Sequence, residues 1–177
     1  MSFLRANYSS RMSAIDWEAA RERLVSESVK AVQEFAFEHA NEECCYFAFD
    51  SDPKYGYVLL CFDTSANSLK VAQAIEQCAI ERRTKMLTKD YSWEGAKHFL
   101  TSPSLAPFNQ NTGDFAYTCY REINFPDWQQ FAESEDYPAE NERCDDFLDG
   151  HFRLLIWKVI EALLEKLPAL LEERDGT

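Results

Sequence analysis

Apolar positions change their spacing along the chain, and each change marks an element. From Trp17 to Ala36 they recur every three or four residues, at Trp17, Ala20, Leu24, Val25, Val29, Val32, Phe35 and Ala36, while Glu18, Arg21, Glu22, Arg23, Glu27, Lys30 and Glu34 fill the rest. That period predicts an amphipathic helix running to about Ala40. Ser13-Ala14-Ile15-Asp16 ahead of it fits the [ST]-x-x-[DE] start signal, in which a hydroxyl and a carboxylate satisfy the free amides of a first turn. Residues 1–12 mix Ser, Arg and Asn with few apolar anchors, so a flexible arm is expected before a single domain over 13–177.

Between Cys44 and Thr64 the pattern shortens to two apolar runs around Asp50-Ser51-Asp52-Pro53-Lys54, which predicts a β-hairpin. Neither run alternates apolar with polar residues, so both sheet faces are expected to be covered. Ser65-Ala66-Asn67-Ser68 reads as a turn and helix cap. A helix over 68–86 follows, with Leu69, Ala72, Ile75, Cys78 and Ala79 on one face. Residues 88–113 are irregular, and Ser102-Pro103 and Ala106-Pro107 disfavour a long helix there. Phe115–Ile123 is the third strand candidate, and Phe125-Pro126-Asp127-Trp128 opens a turn or short helix. A long helix from about Cys144 carries Leu148, Phe152, Leu155, Ile156, Val159, Ile160, Leu163, Leu164 and Leu167. Between Phe152 and Ile160 its polar positions are Arg153 and Lys158, so the 152–164 helix is expected to be buried or to hold a homo-oligomer. Pro168 is expected to kink or end it.

Together these elements predict an α/β or α+β fold: a mainly antiparallel sheet built on the 44–64 hairpin and covered by helices. Charge then narrows the function classes. Eighteen Lys plus Arg against 31 Asp plus Glu gives −13, a balance that repels phosphate backbones and opposes nucleic-acid binding. The same charge would accelerate encounter with a basic partner. The N-terminus shows no apolar signal segment and no run is long enough to span a bilayer, so a cytoplasmic location is expected. The six cysteines share no CxxC pair and no zinc-ligand spacing with His39, His98 and His151, and Cys44, Cys45, Cys61 and Cys78 read as small buried hydrophobes.

Catalytic signatures are sparse. Asp145-Asp146-Phe147-Leu148-Asp149 is a DDxxD that would place carboxylates on one helical face, as a divalent-metal enzyme requires. Five scattered glycines form neither a nucleophile elbow nor a phosphate loop, and no cofactor is implied. A Cys119–His98 pair is the remaining nucleophile candidate. The aromatic set Trp93, Phe99, Tyr117, Tyr120, Phe125 and Trp128 fits either a binding surface or a core. The acidic run Glu133, Glu135, Asp136, Glu140, Glu142, Asp145, Asp146 and Asp149 is either a solvated face or a docking patch.

The sequence YFAFDSD, a short break, then YVLLCFDTSANSL leading into a helix resembles a small bacterial α/β family of unknown function. In that family an aromatic strand of the YxFxLYxD kind precedes a second strand and an Asn-containing turn. Tyr46, Phe47, Phe49, Asp52 and Asn67 carry the match, and Phe115-Ala116-Tyr117 through Trp128 is similar to its later aromatic strand, so the likeness covers residues 16–165 in outline. Such families resemble immunity proteins of bacterial toxin systems, and the likeness brings no catalytic residues with it. The expected function is therefore a non-enzymatic cytoplasmic protein that neutralises a basic cognate toxin by binding, without nucleic acid or membrane. Glu133, Glu135, Asp136, Asp145, Asp146 and Asp149 are its expected acidic contacts, and Trp93 and Trp128 its apolar anchors. The alternative is a small metal-dependent enzyme using Asp145, Asp146 and Asp149.

Overall fold

The computed structural model describes residues 15–51, 55–87, 111–133 and 142–175. Its elements follow in the order α1 (Trp17–Glu38), β1 (Cys44–Asp50), β2 (Tyr57–Thr64), α2 (Ser65–Leu87), a 3-10 turn at Thr112–Asp114, β3 (Tyr117–Asn124), α3 (Pro126–Glu133) and α4 (Glu142–Asp175). The three strands form one antiparallel sheet in the order β1-β2-β3, and the fold is α+β. By its internal contacts the chain divides into two compact units. Of the described residues, the first unit takes those up to Ala40, Phe49–Leu60 and those from Cys119 onward; the second takes Asn41–Ala48 and Cys61–Thr118. All three strands run through both.

In the first unit, Asp16 begins α1 by accepting the amide of Ala19 at 2.9 Å, a bond that meets one of the orphan donors of a helix start. The buried stripe of α1 is Ala20, Leu24, Val25, Ser28, Ala31 and Phe35. It is turned slightly from the expected one, because small Ser28 and Ala31 are enclosed while Val29 and Val32 are half-buried. Against α1 packs α4, whose inward face is Phe152, Leu155, Val159 and Leu163. Fully burying each such side chain contributes on the order of 1.5–3 kcal/mol. Helix α4 continues through Pro168 to Asp175, where an end or kink is expected. The carbonyl that Pro168 cannot bond is that of Leu164, an exposed residue, so water can take the lost partner's place.

Strand β3 is tied to α1 by polar contacts. Arg121 bonds Glu27 at 3.1 Å and also pairs with Glu34. The Tyr120 hydroxyl donates to Glu38 at 2.7 Å while its ring meets Phe35 edge-on. Lys30, and more weakly Arg121, hold the Glu27 carboxyl below its ordinary value.

The hairpin forms from the two apolar runs as expected, but the covering of its strands is unequal. Middle strand β2 is buried from Leu60 through Thr64, whereas edge strand β1 is half-buried at best. The turn closes on Gly56, at φ +68°, whose carbonyl accepts the Phe125 amide at 2.6 Å. A Cβ there would lie 2.8 Å from Gln129 Cβ and 2.9 Å from the Phe125 carbonyl oxygen. Only glycine meets both demands.

In the second unit Tyr46 stacks on Phe115 and Phe47 lies tilted against Phe62, at 5.9 and 4.9 Å between ring centres. Two sequence expectations are corrected here. Cys44 and Cys78 are exposed and Cys45 is half-buried; Cys61 is the buried one, its thiol donating to the Thr118 carbonyl at 2.6 Å. The apolar face expected of α2 is open in part, since Leu69, Ile75 and Cys78 are exposed while Ala72 and Ala79 are half-buried. The more enclosed side of that helix carries buried Ser68 with half-buried Val71, Ala72 and Ala79. Among the described residues no helix is long and apolar enough to cross a membrane.

Candidate functional site

Two arrangements concentrate chemistry among the described residues, one in each unit. In the second unit, Asp63, the penultimate residue of β2, is 0% exposed. One of its carboxylate oxygens, Oδ1, accepts three hydrogen bonds: from the Thr64 amide at 3.0 Å, the Ala116 amide at 3.0 Å and Asn67 Nδ2 at 2.8 Å. The other, Oδ2, is buried with no hydrogen-bond partner. Thr64 caps α2 by accepting the Asn67 amide at 3.2 Å, and Asn67 also donates to the Asp114 carbonyl at 3.0 Å. A carboxylate beside a helix N-terminus is favoured by the helix dipole, which offsets part of the cost of enclosing it. The result is a junction that fastens the end of β2, the start of α2 and the approach to β3.

Cysteine chemistry near this junction is muted. The Cys45 thiol lies 3.6 Å from the Asp63 carbonyl oxygen, and burial followed by the charge of Asp63 pushes it above the ordinary thiol value. Cys44 is raised too, because its thiol is partly desolvated although the residue as a whole is exposed, with Cys45 adding to the effect. A nucleophile needs its thiolate, so neither thiol is tuned for attack at neutral pH.

In the first unit an open cleft of about 150 Å³ lies where the start of α1 meets the start of α3. Its floor is apolar, formed by Ile15, Ala20, Phe125 and Trp128, and its rim carries Asp16, Arg23 and Asp127. Pro126 occupies the first helical position of α3, where its missing N–H costs nothing, and this brings Asp127 into the first turn. Arg23 is already engaged: its guanidinium lies 5.2 Å from the centre of the Phe125 ring and bonds the Asn124 carbonyl at 2.7 Å. Beneath, Phe125 stacks on Trp128 at 4.2 Å, Trp17 lies 5.5 Å from Trp128, and Phe152 meets Trp128 edge-on. A cavity of this size holds a benzene-sized group, hence one side chain of a partner.

The expected site residues fall differently. Trp128 is 2% exposed and belongs to this aromatic core, its ring packed on Phe125, Trp17 and Phe152, so it underlies the cleft as floor instead of projecting from the surface as the sequence reading expects. Tyr120 is held by Glu38 in the first unit, and Tyr117 by Glu42 at 2.8 Å in the second. Glu133 ends α3, and Asp145, Asp146 and Asp149 lie in the first turns of α4, with Asp145 and Asp149 one turn apart as the DDxxD reading requires. The side chains of those four, and all of Trp93, His98, Glu135 and Asp136, lie outside the described residues. Among the described residues no group of three or more His, Cys, Asp or Glu is arranged to hold a metal ion.

Sequence reasoning passed over Asp63, although an acid ending an apolar strand just before Thr-Ser-x-Asn is a strand-to-helix signal. It also passed over the cleft, whose residues lie about a hundred positions apart and carry no common pattern. Compared with protein-family models, curated proteins and solved structures, the chain matches none.

Proposed function

We propose that the chain is a non-enzymatic cytoplasmic binding protein, most concretely an immunity protein that neutralises a basic bacterial toxin by direct contact. The observation that carries this reading is the cleft in the first unit, taken with a formal charge of −13. A Lys or Arg side chain suits it. Its aliphatic stem covers the apolar floor, and its cationic head meets Asp16 and Asp127, whose neighbour Arg23 is occupied by Phe125 and Asn124. The overall charge steers a basic partner toward that encounter. Glu133, Glu135, Asp136, Asp145, Asp146, Asp149 and Trp93 enter the proposal through the sequence alone.

The test is co-expression with the products of adjacent genes, followed by elution across a salt gradient and binding kinetics. A one-to-one complex with a basic protein, whose toxicity the chain suppresses, is expected. Asp127→Lys, on an exposed residue, should slow association by roughly tenfold at low salt, and the difference should close near ~0.5 M salt as charges are screened. A complex indifferent to both salt and Asp127→Lys, or no basic partner at all, overturns the reading.

A further inference from the structure

Helix α4 has two apolar sides. One, Phe152, Leu155, Val159 and Leu163, is buried. The other is solvent-facing: Leu154 is 55% exposed, Trp157 62%, Ile160 38% and Leu164 67%. These four recur at spacings of three, three and four, so they share one face over about 15 Å of helix. Exposed aliphatics scattered singly need no explanation, but four on one helical face including a tryptophan form a contiguous patch, which marks an interaction surface.

The order of residues along this face identifies its occupant. Val159 is the midpoint of a near-palindrome. Leu154 and Leu164 stand five positions to either side, and Trp157 and Ile160 lie two before and one after. Lys158 and Glu161 flank the same edge of the stripe, one on each side of that midpoint. In an antiparallel pair related by a two-fold axis, like edges meet and the direction reverses. Leu154 then meets Leu164 of the second copy, Trp157 lies over its Ile160, and Lys158 faces its Glu161, each contact occurring twice. The partially open carboxylate fits this role: Glu161 accepts Trp157 Nε1 at 2.8 Å through Oε1 alone, fixing the indole and leaving Oε2 for a cation. We infer that this face of α4 pairs with a second copy of the chain, antiparallel, about an axis level with Val159. By ordinary side-chain areas the stripe offers roughly 500 Å² per copy. Two copies together therefore bury on the order of 1,000 Å², the size at which specific association begins. The pairing does not depend on the toxin-binding proposal.

Sedimentation velocity and light scattering of the purified chain from about 1 to 100 µM test it, since an interface of this size associates in the micromolar range. A dimer is expected. Leu164→Glu sits on a strongly exposed position and leaves the buried face of α4 intact, so it should raise the dissociation constant by at least ~10-fold with an unchanged circular dichroism spectrum. Lys158→Glu and Glu161→Lys should each weaken the dimer, and the double variant should recover part of the loss, which a partner other than a second copy would not produce. A monomer at the highest concentration, a dimer indifferent to Leu164→Glu, or a double variant no better than the singles overturns the inference.

Discussion

Replacing Asp63 tests whether one buried carboxylate organises the second unit. Asp63→Ala strips the acceptor from the Thr64 and Ala116 amides and from Asn67 Nδ2. A buried donor left unsatisfied costs ~1–3 kcal/mol, so three would cost several. Two terms reduce the sum. Asn67 keeps its bond to the Asp114 carbonyl, and the desolvated Oδ2, which has no partner, disappears with the side chain. A net loss of about 3–5 kcal/mol follows, a large share of the ~5–15 kcal/mol stability of an ordinary domain. Asp63→Asn is a different experiment on the same geometry. Its carbonyl can accept the same three donors, while its NH₂ replaces the partnerless oxygen and the buried charge is removed. It loses charge assistance and gains two donors to satisfy, for a cost of about 1–2 kcal/mol. Urea unfolding at neutral pH should therefore lower the midpoint for Asp63→Ala by roughly 1.5–2.5 M and for Asp63→Asn by less than half of that. An alanine variant within ~1 kcal/mol of the parent, or an asparagine variant as damaged as the alanine one, would refute the idea that Oδ1 is a three-way acceptor on which the junction depends.

Two further outcomes follow from local geometry. Gly56→Ala meets both a left-handed backbone at φ +68° and a 2.8 Å approach to Gln129 Cβ, so it should cost about 2–4 kcal/mol in urea unfolding, with a loss under ~0.5 kcal/mol contradicting the close approach. Tyr117 and Tyr120 are both pushed up to about 12, by burial first and then by their bonds to Glu42 and Glu38. A raised pKa in the folded state means the folded chain keeps these protons longer, so their contribution is complete below pH 10 and is lost as pH rises from 10 towards 12. Denaturation midpoints measured across that window should fall more steeply for the parent than for the Tyr117→Phe/Tyr120→Phe double variant; parallel slopes would show that the hydroxyls carry no linkage.

What was legible in the sequence is what periodicity encodes. Helix α1, the hairpin and α4 follow from spacings of three to four and from two apolar runs around a polar break, because backbone geometry imposes those periods on any buried face. What periodicity does not encode is which side of an apolar element is enclosed. Leu69 and Ile75 on α2 and Trp157 and Leu164 on α4 have the spacing of core residues and are exposed, while Ser28 and Ala31 are buried because close helix approach rewards small side chains over greasy ones. Trp128 illustrates the same blindness in reverse. A tryptophan beside Pro and Asp reads as a surface anchor, yet the turn at Phe125-Pro126 folds it back onto Trp17 and Phe125. Arg121, the one cation of β3, was legible as a strand residue but not as the partner of Glu27 and Glu34, which lie some ninety positions earlier.

The residues on which the sequence likeness was drawn do structural work in this chain. Tyr46 and Phe47 pack on Phe115 and Phe62, and Asn67 links Asp63 to Asp114, so each of these matching positions serves the second unit's own framework. The features suited to partners belong to the first unit: the cleft edged by Asp16 and Asp127, and the outward face of α4. Asp16 and the outward face of α4 are not among the residues that carry the likeness. A pattern fixed by packing and capping constrains the scaffold, and it leaves exposed positions elsewhere free to set what the chain binds. On the proposed reading, substitutions at Asp16 and Asp127 would move partner choice while Tyr46, Asp63 and Asn67 stay fixed, and specificity would follow the cleft of the first unit.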